Sequence, residues 1–197
     1  MMQNPLEQAH KMITDRYCSF STDSWAALSD ALRYEEYAAG ADLVAMDAHS
    51  GTLFFLLEGG VRAYYLKDGR EVTDWFAFEG QFVCAISSFY YGIPSPHALQ
   101  AMGPTRVLRT EREDIDRLCR DYHDIERLGH MSTTETMLLL QERVVSLQFA
   151  TARERYESLL GQYPDIALRA PVHAIASFLG ITQETLSRIR SAKRLRI

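Results

Sequence analysis

Val172-His173-Ala174-Ile175-Ala176-Ser177-Phe178-Leu179-Gly180-Ile181-Thr182-Gln183-Glu184-Thr185-Leu186-Ser187-Arg188-Ile189 holds two short apolar periods parted by one glycine. Ile175, Leu179, Ile181, Leu186 and Ile189 recur at near-helical spacing on either side of Gly180, the pattern of two helices sharing one small core. Ala176 is small where two crossing helices touch, and Gly180 takes a turn conformation that a larger residue resists. Thr182 caps the second helix, and Glu184 in its first turn suits a helix start. Burying Ile175, Leu186 and Ile189 leaves Gln183, Glu184, Ser187, Arg188 and Ser191 on the opposite face. Such a helix fits a major groove about 12 Å wide, where Arg bonds guanine, Gln bonds adenine and Glu accepts from cytosine. An ordinary helical hairpin with a solvated outer face would satisfy the same spacing.

Charge separates these readings. The net charge of −5 argues against nucleic acid as a whole-chain statement. Residues 1–147, however, carry 13 Lys and Arg against 22 Asp and Glu, whereas residues 148–197 carry 8 against 4. Arg188, Arg190, Lys193, Arg194 and Arg196 follow one another without an intervening acid. A basic run directly after a helix with a polar face is the footprint expected of a phosphate-binding surface.

Upstream, the character of the chain changes twice. Leu6–Tyr17 and Asp23–Leu32 read as helices, the second opened by Ser21, Thr22 or Asp23. From Tyr34, glycines punctuate short stretches rich in Val, Ile, Phe, Tyr and Trp. Leu53–Leu57, Val61–Leu66, Val72–Phe78, His97–Ala101 and Arg106–Thr110 are the clearest strands, and a sandwich or barrel with jelly-roll connections accommodates them. Beyond Glu111 the glycines thin out, and Arg112–Arg120, His123–Leu147 and Thr151–Leu160 read as helices. In His123–Leu147, one row is formed by Ile125, Leu128, Met131, Leu138 and Val145. A second row, Met137, Leu140, Val144 and Leu147, widens the apolar face. A helix on the order of 35 to 40 Å long exceeds what a small β-domain covers, so part of that face is expected to meet a second subunit.

Composition excludes several classes. With 197 residues, 47% hydrophobic and 24% charged, the chain has an ordinary globular balance. Cys18, Cys84 and Cys119 lie far apart, so neither a disulfide framework nor a CxxC site is expected, and a reducing cytoplasm fits. No signal core or membrane-length apolar run is visible. No HxH pair, G-x-S-x-G, Walker or zinc-protease motif occurs. An enzyme on the β-half, similar to a metal-dependent cupin, would need clustered His ligands, and His49 and His97 stand alone. No catalytic or metal-binding residue is therefore expected.

The order of β-roll, long helix and helix-turn-helix resembles the CRP/FNR family of bacterial transcription regulators over nearly the whole chain. Ile181-Thr182-Gln183-Glu184-Thr185-Leu186-Ser187-Arg188-Ile189 resembles the family's recognition helix. The resemblance implies base reading by Gln183, Glu184 and Arg188, with Ser187 on the same face, and phosphate contacts by Thr182 and Thr185. Thr151-Ala152-Arg153 resembles the start of the family's fourth helix, implying a phosphate contact at Thr151 and a hinge at Leu147–Ala150. Only eight residues follow Ile189, so the family's hairpin wing does not fit within this sequence. Its phosphate contacts would fall to Arg190, Lys193, Arg194 and Arg196. The segment Ala152–Pro164 and this short end look most like the short members found in Bacteroidetes.

Phe54-Phe55-Leu56-Leu57-Glu58-Gly59 and Phe78-Glu79-Gly80-Gln81-Phe82 resemble the cyclic-nucleotide-binding fold. The family's binding cassette needs a glutamate for ribose and an arginine for phosphate. Here those places fall on Cys84-Ala85-Ile86 and Ser95-Pro96-His97. Cyclic AMP is consequently not expected to bind in the family's usual way. Cys84, Ala85, Tyr91, Ser95 and His97 are candidates to line a pocket for a different, unknown effector. An iron–sulfur sensor of the FNR kind needs four cysteines, and haem, with His49, His97 or Cys84 as ligand, has no supporting spacing.

The expected fold class is thus α+β. An N-terminal double-stranded β-helix or jelly roll (residues 1–122) precedes a long dimerisation helix (123–147) and a helix-turn-helix with little or no wing (148–197). The expected function is a cytoplasmic transcription regulator that binds a near-palindromic site on double-stranded DNA as a homodimer, with RNA polymerase as a further candidate partner and no membrane role. The competing reading is a ligand-sensing or protein-interaction module with a vestigial helix-turn-helix.

Overall fold

The computed structural model describes residues 4–194, with side chains described as far as Ala192. Two antiparallel four-stranded sheets face each other. One has the order β1 (Arg33–Tyr37), β8 (Thr105–Glu111), β3 (Thr52–Glu58), β6 (Phe82–Val83), and the other β2 (Asp42–Val44), β7 (Ala98–Ala101), β4 (Gly60–Lys67), β5 (Arg70–Phe78). Their inner faces meet in a core of Val44, Phe54, Leu56, Val61, Ala63, Ala77, Leu99 and Val107.

Both outer faces are also covered, which explains the unbroken apolar run at Phe54–Leu57. Along β3, Phe54 and Leu56 enter the inter-sheet core. Phe55 and Leu57 point the other way, under α1 (Pro5–Arg16), α2 (Thr22–Ala31), α4 (Arg112–Asp121) and the start of α5 (His123–Phe149). Successive strand side chains alternate faces, so a strand buried on both reads as continuous apolar sequence. Gly59 joins β3 to β4 at φ +87°, and a Cβ there would lie 2.5 Å from the Pro104 carbonyl oxygen. Only glycine fits that junction.

The five strands expected from sequence match β3, β4, β5, β7 and β8 within a few residues, His97 lying just outside β7. Three more, β1, β2 and β6, complete the sheets. β1 is Arg-Tyr-Glu-Glu-Tyr at a sheet edge, where Glu35 pairs with Arg109 at 2.5 Å. An edge strand needs no apolar alternation to be held. A short α3 (Ile86–Tyr91) follows β6, capped by Gly92.

α5 runs for 27 residues and ends at Ala150, which is extended (φ −92°, ψ 145°). Thr151 is extended too, and there α6 (Ala152–Gln162) starts with a capping box between Thr151 and Glu154. Of the segment Leu147–Ala150 expected to act as a hinge, only Ala150 is non-helical, because α5 stays helical through Phe149. α7 (Ile166–Arg169), α8 (Val172–Phe178) and α9 (Gln183–Arg194) complete the described chain. No helix among the described residues is long and apolar enough to cross a membrane.

Candidate nucleic-acid interface

α8 and α9 form the two limbs around Gly180. Gly180 sits at φ +67°. Ile181 N–H bonds the Ala176 carbonyl at 3.0 Å and Gly180 N–H bonds the Ser177 carbonyl at 3.0 Å. This paired closure of a helix end requires a left-handed residue at that place. α9 then begins with Thr182 Oγ1 accepting from Thr185 N–H at 3.3 Å. Ile175 and Leu186 are fully buried, and Ile189 packs against the same cluster with Tyr156, Leu159 and Ile166.

Gln183, Glu184, Ser187 and Arg188 are all exposed on the outer face of α9, with Thr182 beside them and Thr185 half-buried. Bonding to the Thr182 side chain, then to its own backbone N–H, holds the Glu184 carboxyl below its ordinary value, aided by the nearby Arg188 charge. Arg188 Nη2 reaches Thr185 Oγ1 at 3.4 Å. Six of the residues expected to meet DNA are thus gathered on one exposed helix.

The remaining expected phosphate contacts divide. Thr151 Oγ1 is engaged in capping α6, accepting from Glu154 N–H at 3.3 Å and lying 2.8 Å from its carboxylate. Arg190 turns inward, its guanidinium 5.6 Å from the Tyr156 ring centre. Its Nε and Nη2 are buried without a hydrogen-bond partner among the described residues. The cause is register: two residues after Arg188, the helix has rotated position 190 toward Tyr156. Lys193 and Arg194 end α9, but their side chains, like the whole of Arg196, lie outside the described residues.

α8 and the segment before it are seated on the β-roll through residues that sequence reasoning missed. β5 alternates Trp75 and Ala77 into the inter-sheet core with Phe76 and Phe78 outward. Phe76 meets Phe178 at 5.1 Å and Phe78 meets Tyr163 at 4.7 Å between ring centres. Thr73 N–H donates to Ser177 Oγ at 3.1 Å. Arg62 on β4, only 3% exposed, donates to Glu71 Oε2 at 2.5 Å and Gln100 Oε1 at 2.7 Å, and lies 3.3 Å from His173 Nε2. Arg169 reaches Glu79 at 2.6 Å and the Gly59 carbonyl at 2.7 Å. Arg143 of α5 bridges three elements. It donates to the Phe178 carbonyl at 2.9 Å and the Thr73 carbonyl at 3.4 Å, and stacks 4.0 Å over the Phe178 ring. Isolated arginines in a strand and a helix carry no motif, so only Arg62 between Val61 and Ala63 offered a hint.

The candidate effector pocket is assembled in part. Ala85 and Ser95 are fully buried and His97 is 4% exposed. Ser95 Oγ is spent on the His97 carbonyl at 2.6 Å. His97 lies edge-on to Tyr65 and Trp75, at 5.4 and 6.4 Å between ring centres, and neither ring nitrogen has a partner among the described residues. Burial pushes the Cys84 thiol up to about 12. Tyr91 does not join them. It stands 80% exposed at the end of α3, because Gly92 ends the helix with that side chain outward. His49 is exposed as well.

Burial lowers the His97 pKa, with the Asp74 charge acting the other way. A group that resists protonation only when folded costs stability as pH falls below its unfolded value of about 6.5. The loss levels off once pH is below the depressed folded value. In urea unfolding at pH 7.5 and pH 5.5, the midpoint of His97→Leu is expected to fall less on acidification than that of the parent. An equal fall would remove His97 as the source.

Comparison with known proteins places this arrangement. Residues 34–122 match the cyclic nucleotide-binding domain. No curated protein sequence matches the chain. Among solved structures, FixK2 from Bradyrhizobium japonicum superposes with a TM-score of 0.73 at 22% identity, covering 84% of this chain and 85% of that one. The c-di-GMP responsive global regulator CLP from Xanthomonas campestris gives 0.71 at 15% identity, covering 89% and 93%. A structure from Eubacterium rectale described as a transcriptional regulator of the CRP/FNR family gives 0.70 at 18% identity, covering 90% and 85%. Residues 34–122 thus match the cyclic nucleotide-binding domain, and the chain as a whole shares its fold with these three structures.

Proposed function

We propose that this protein is a DNA-binding transcription regulator that reads a near-palindromic site as a homodimer paired through α5. The observation that carries the reading is the two-sidedness of α9. Leu186 is fully buried, while Gln183, Glu184, Ser187 and Arg188 are all presented to solvent. Apolar residues fix the helix, and side chains able to hydrogen-bond base edges project from it. The structural neighbours named as regulators lend support.

The roll acts as the sensor half, and any effector works by favouring one seating of α8 on β5, and with it one placement of α9, over another. By the resemblance, the cassette's glutamate and arginine places fall on Ala85 and Ser95, and Ser95 Oγ is already engaged with the His97 carbonyl. Cyclic AMP held in the family's usual way is not part of this reading. Nor is catalysis.

Arg188→Ala tests the base-reading assignment. Fluorescence anisotropy against duplexes varied one base pair at a time is expected to show a loss of about 1–3 kcal/mol confined to one position in each half-site. A uniform loss across all sequences would make Arg188 a phosphate contact. One observation favours a second reading, a sensing module with weak DNA affinity: Arg190 faces Tyr156 rather than solvent. Salt-dependent retention on duplex DNA separates the two.

A further inference from the structure

Beneath the helices that cover the outer face of the β3 sheet lies a cavity of about 40 Å³. Leu53 and Phe55 of β3 and Thr110 of β8 form its floor, and Leu28 of α2, Ile115 of α4 and Ile125 of α5 close over them. Among the described residues, none that lines it is charged. The Cys119 thiol, half-buried in the wall, stays protonated at neutral pH, because burial and the Asp116 and Glu126 charges raise its pKa.

Two features separate this space from an ordinary gap in packing. The first is Thr110. Leu108 of β8 packs into the helix layer, so Thr110, two residues on, faces the same side. Thr110 is 4% exposed, and its Oγ1 has no hydrogen-bond partner among the described residues. A buried hydroxyl left unpaired costs the folded state its lost hydration, and nearly all such groups in native proteins are paired.

The second is Gly129. Ile125, Leu128, Gly129 and Ser132 all line the cavity, and their spacing of i, i+3, i+4 and i+7 puts them on one face of α5. Glycine inside a helix is less favourable than alanine. A Cβ at Gly129 would nevertheless meet nothing within 4 Å. α5 thus omits a side chain at a place on its inward face where one would fit, and the space stays open.

Water suits this space poorly. One water-sized sphere needs roughly 10–15 Å³ and two to four polar partners. Thr110 Oγ1 supplies one partner, while the Ser132 hydroxyl is engaged with the Gly129 carbonyl at 3.1 Å. An ion would lie unpaired against an uncharged wall. A short hydrocarbon carrying a single oxygen matches both the lining and the lone hydroxyl.

We propose that this cavity is a binding site for a small uncharged molecule, a short-chain alcohol by class, whose hydroxyl bonds Thr110 Oγ1 and whose hydrocarbon end lies between Ile115 and Ile125 toward Gly129. The site is on the opposite face of the sheet from Ala85, which packs in the inter-sheet core. Its ligand touches β8 and the first turns of α5, and its binding does not depend on the DNA-reading proposal.

The test is a titration of the full chain with n-propanol, followed through the methyl resonances of isotope-labelled isoleucine and leucine. Shifts at Leu28, Ile115 and Ile125 are expected to saturate with a dissociation constant of roughly 0.1–10 mM. Thr110→Val removes the hydroxyl and keeps the shape. It is expected to weaken propanol binding about fivefold or more, while xenon, which needs no hydrogen bond, still perturbs the same methyls. Gly129→Leu fills the space from α5 and is expected to abolish both responses with the far-ultraviolet circular dichroism unchanged. Shifts that grow linearly without saturating, equal propanol affinity in the parent and Thr110→Val, or parental binding by Gly129→Leu would overturn the proposal. Entry of xenon without any response to propanol would overturn it too, and leave the cavity a plain void.

Discussion

Leu186→Ala is expected to lower the stability of the α6–α9 region by about 2–5 kcal/mol and to abolish sequence-specific DNA binding. Leu186 is among the largest fully buried side chains and lies in one cluster with Ile175, Leu179, Ile166 and Tyr156. Removing its branched end forfeits the transfer free energy of three carbons and leaves a cavity that two short helices cannot close without shifting. The functional loss should exceed the stability loss. On the proposed reading, displacing α9 by an ångström would take Gln183 and Arg188 out of step with base edges. Urea unfolding measures the first effect, and amide exchange along α8 and α9 shows whether the loosening is local. Arg188→Ala is the contrasting case, since an exposed side chain should leave the urea midpoint near its parent value. A Leu186→Ala protein with parental exchange rates and parental DNA selectivity would mean that this cluster does not position α9.

Arg143→Ala is expected to cost about 2–4 kcal/mol, the sum of losing charge-assisted bonds to two backbone carbonyls in a largely buried place. The guanidinium meets the Phe178 and Thr73 carbonyls, and its side chain is 17% exposed. Burial lowers its pKa, while Asp74 at 3.9 Å supports the charge. The carbonyls it serves belong to α8 and β5, so one side chain of the long helix ties the roll to the C-terminal helices. Its removal should lower DNA affinity by a similar factor for every sequence, because it sets where α9 stands and touches no base. Parallel titrations on specific and scrambled duplexes separate this from the position-specific deficit of Arg188→Ala. Arg143→Lys should restore charge without the two-pronged geometry and recover only part of the loss. Full activity in Arg143→Ala would show that the seat is carried elsewhere, with Arg62 and Arg169 the remaining ties.

Legibility in the sequence followed how local each signal was. The helix-turn-helix was readable because every element of it lies within Val172–Ile189: two apolar periods, Gly180 between them and the Thr182 cap. The strands β3, β4, β5, β7 and β8 were readable from dense β-branched and aromatic residues bounded by turns. β1 was not, since Glu35 earns its place by pairing with Arg109 of the neighbouring strand and Glu36 bonds the Tyr34 hydroxyl. The seat of α8 on β5 was invisible for a related reason. Arg62 and His173, or Arg143 and Thr73, come together only through tertiary folding, and none of them belongs to a motif. Tyr91 was grouped with Cys84 and His97 by nearness in sequence, but α3 turns it outward. Arg190 was counted with the basic run by charge alone, whereas helical rotation carries it to Tyr156.

The central claim, a dimeric reader of DNA, is tested most directly by selecting bound sequences from random duplexes at near-physiological salt with the purified full-length chain. The account predicts recovery of an inverted repeat whose half-sites lie about one helical turn, roughly 34 Å, apart. Retention that depends only on salt, with no sequence enriched and no change when the pool is offered across a range of protein concentrations, would contradict it.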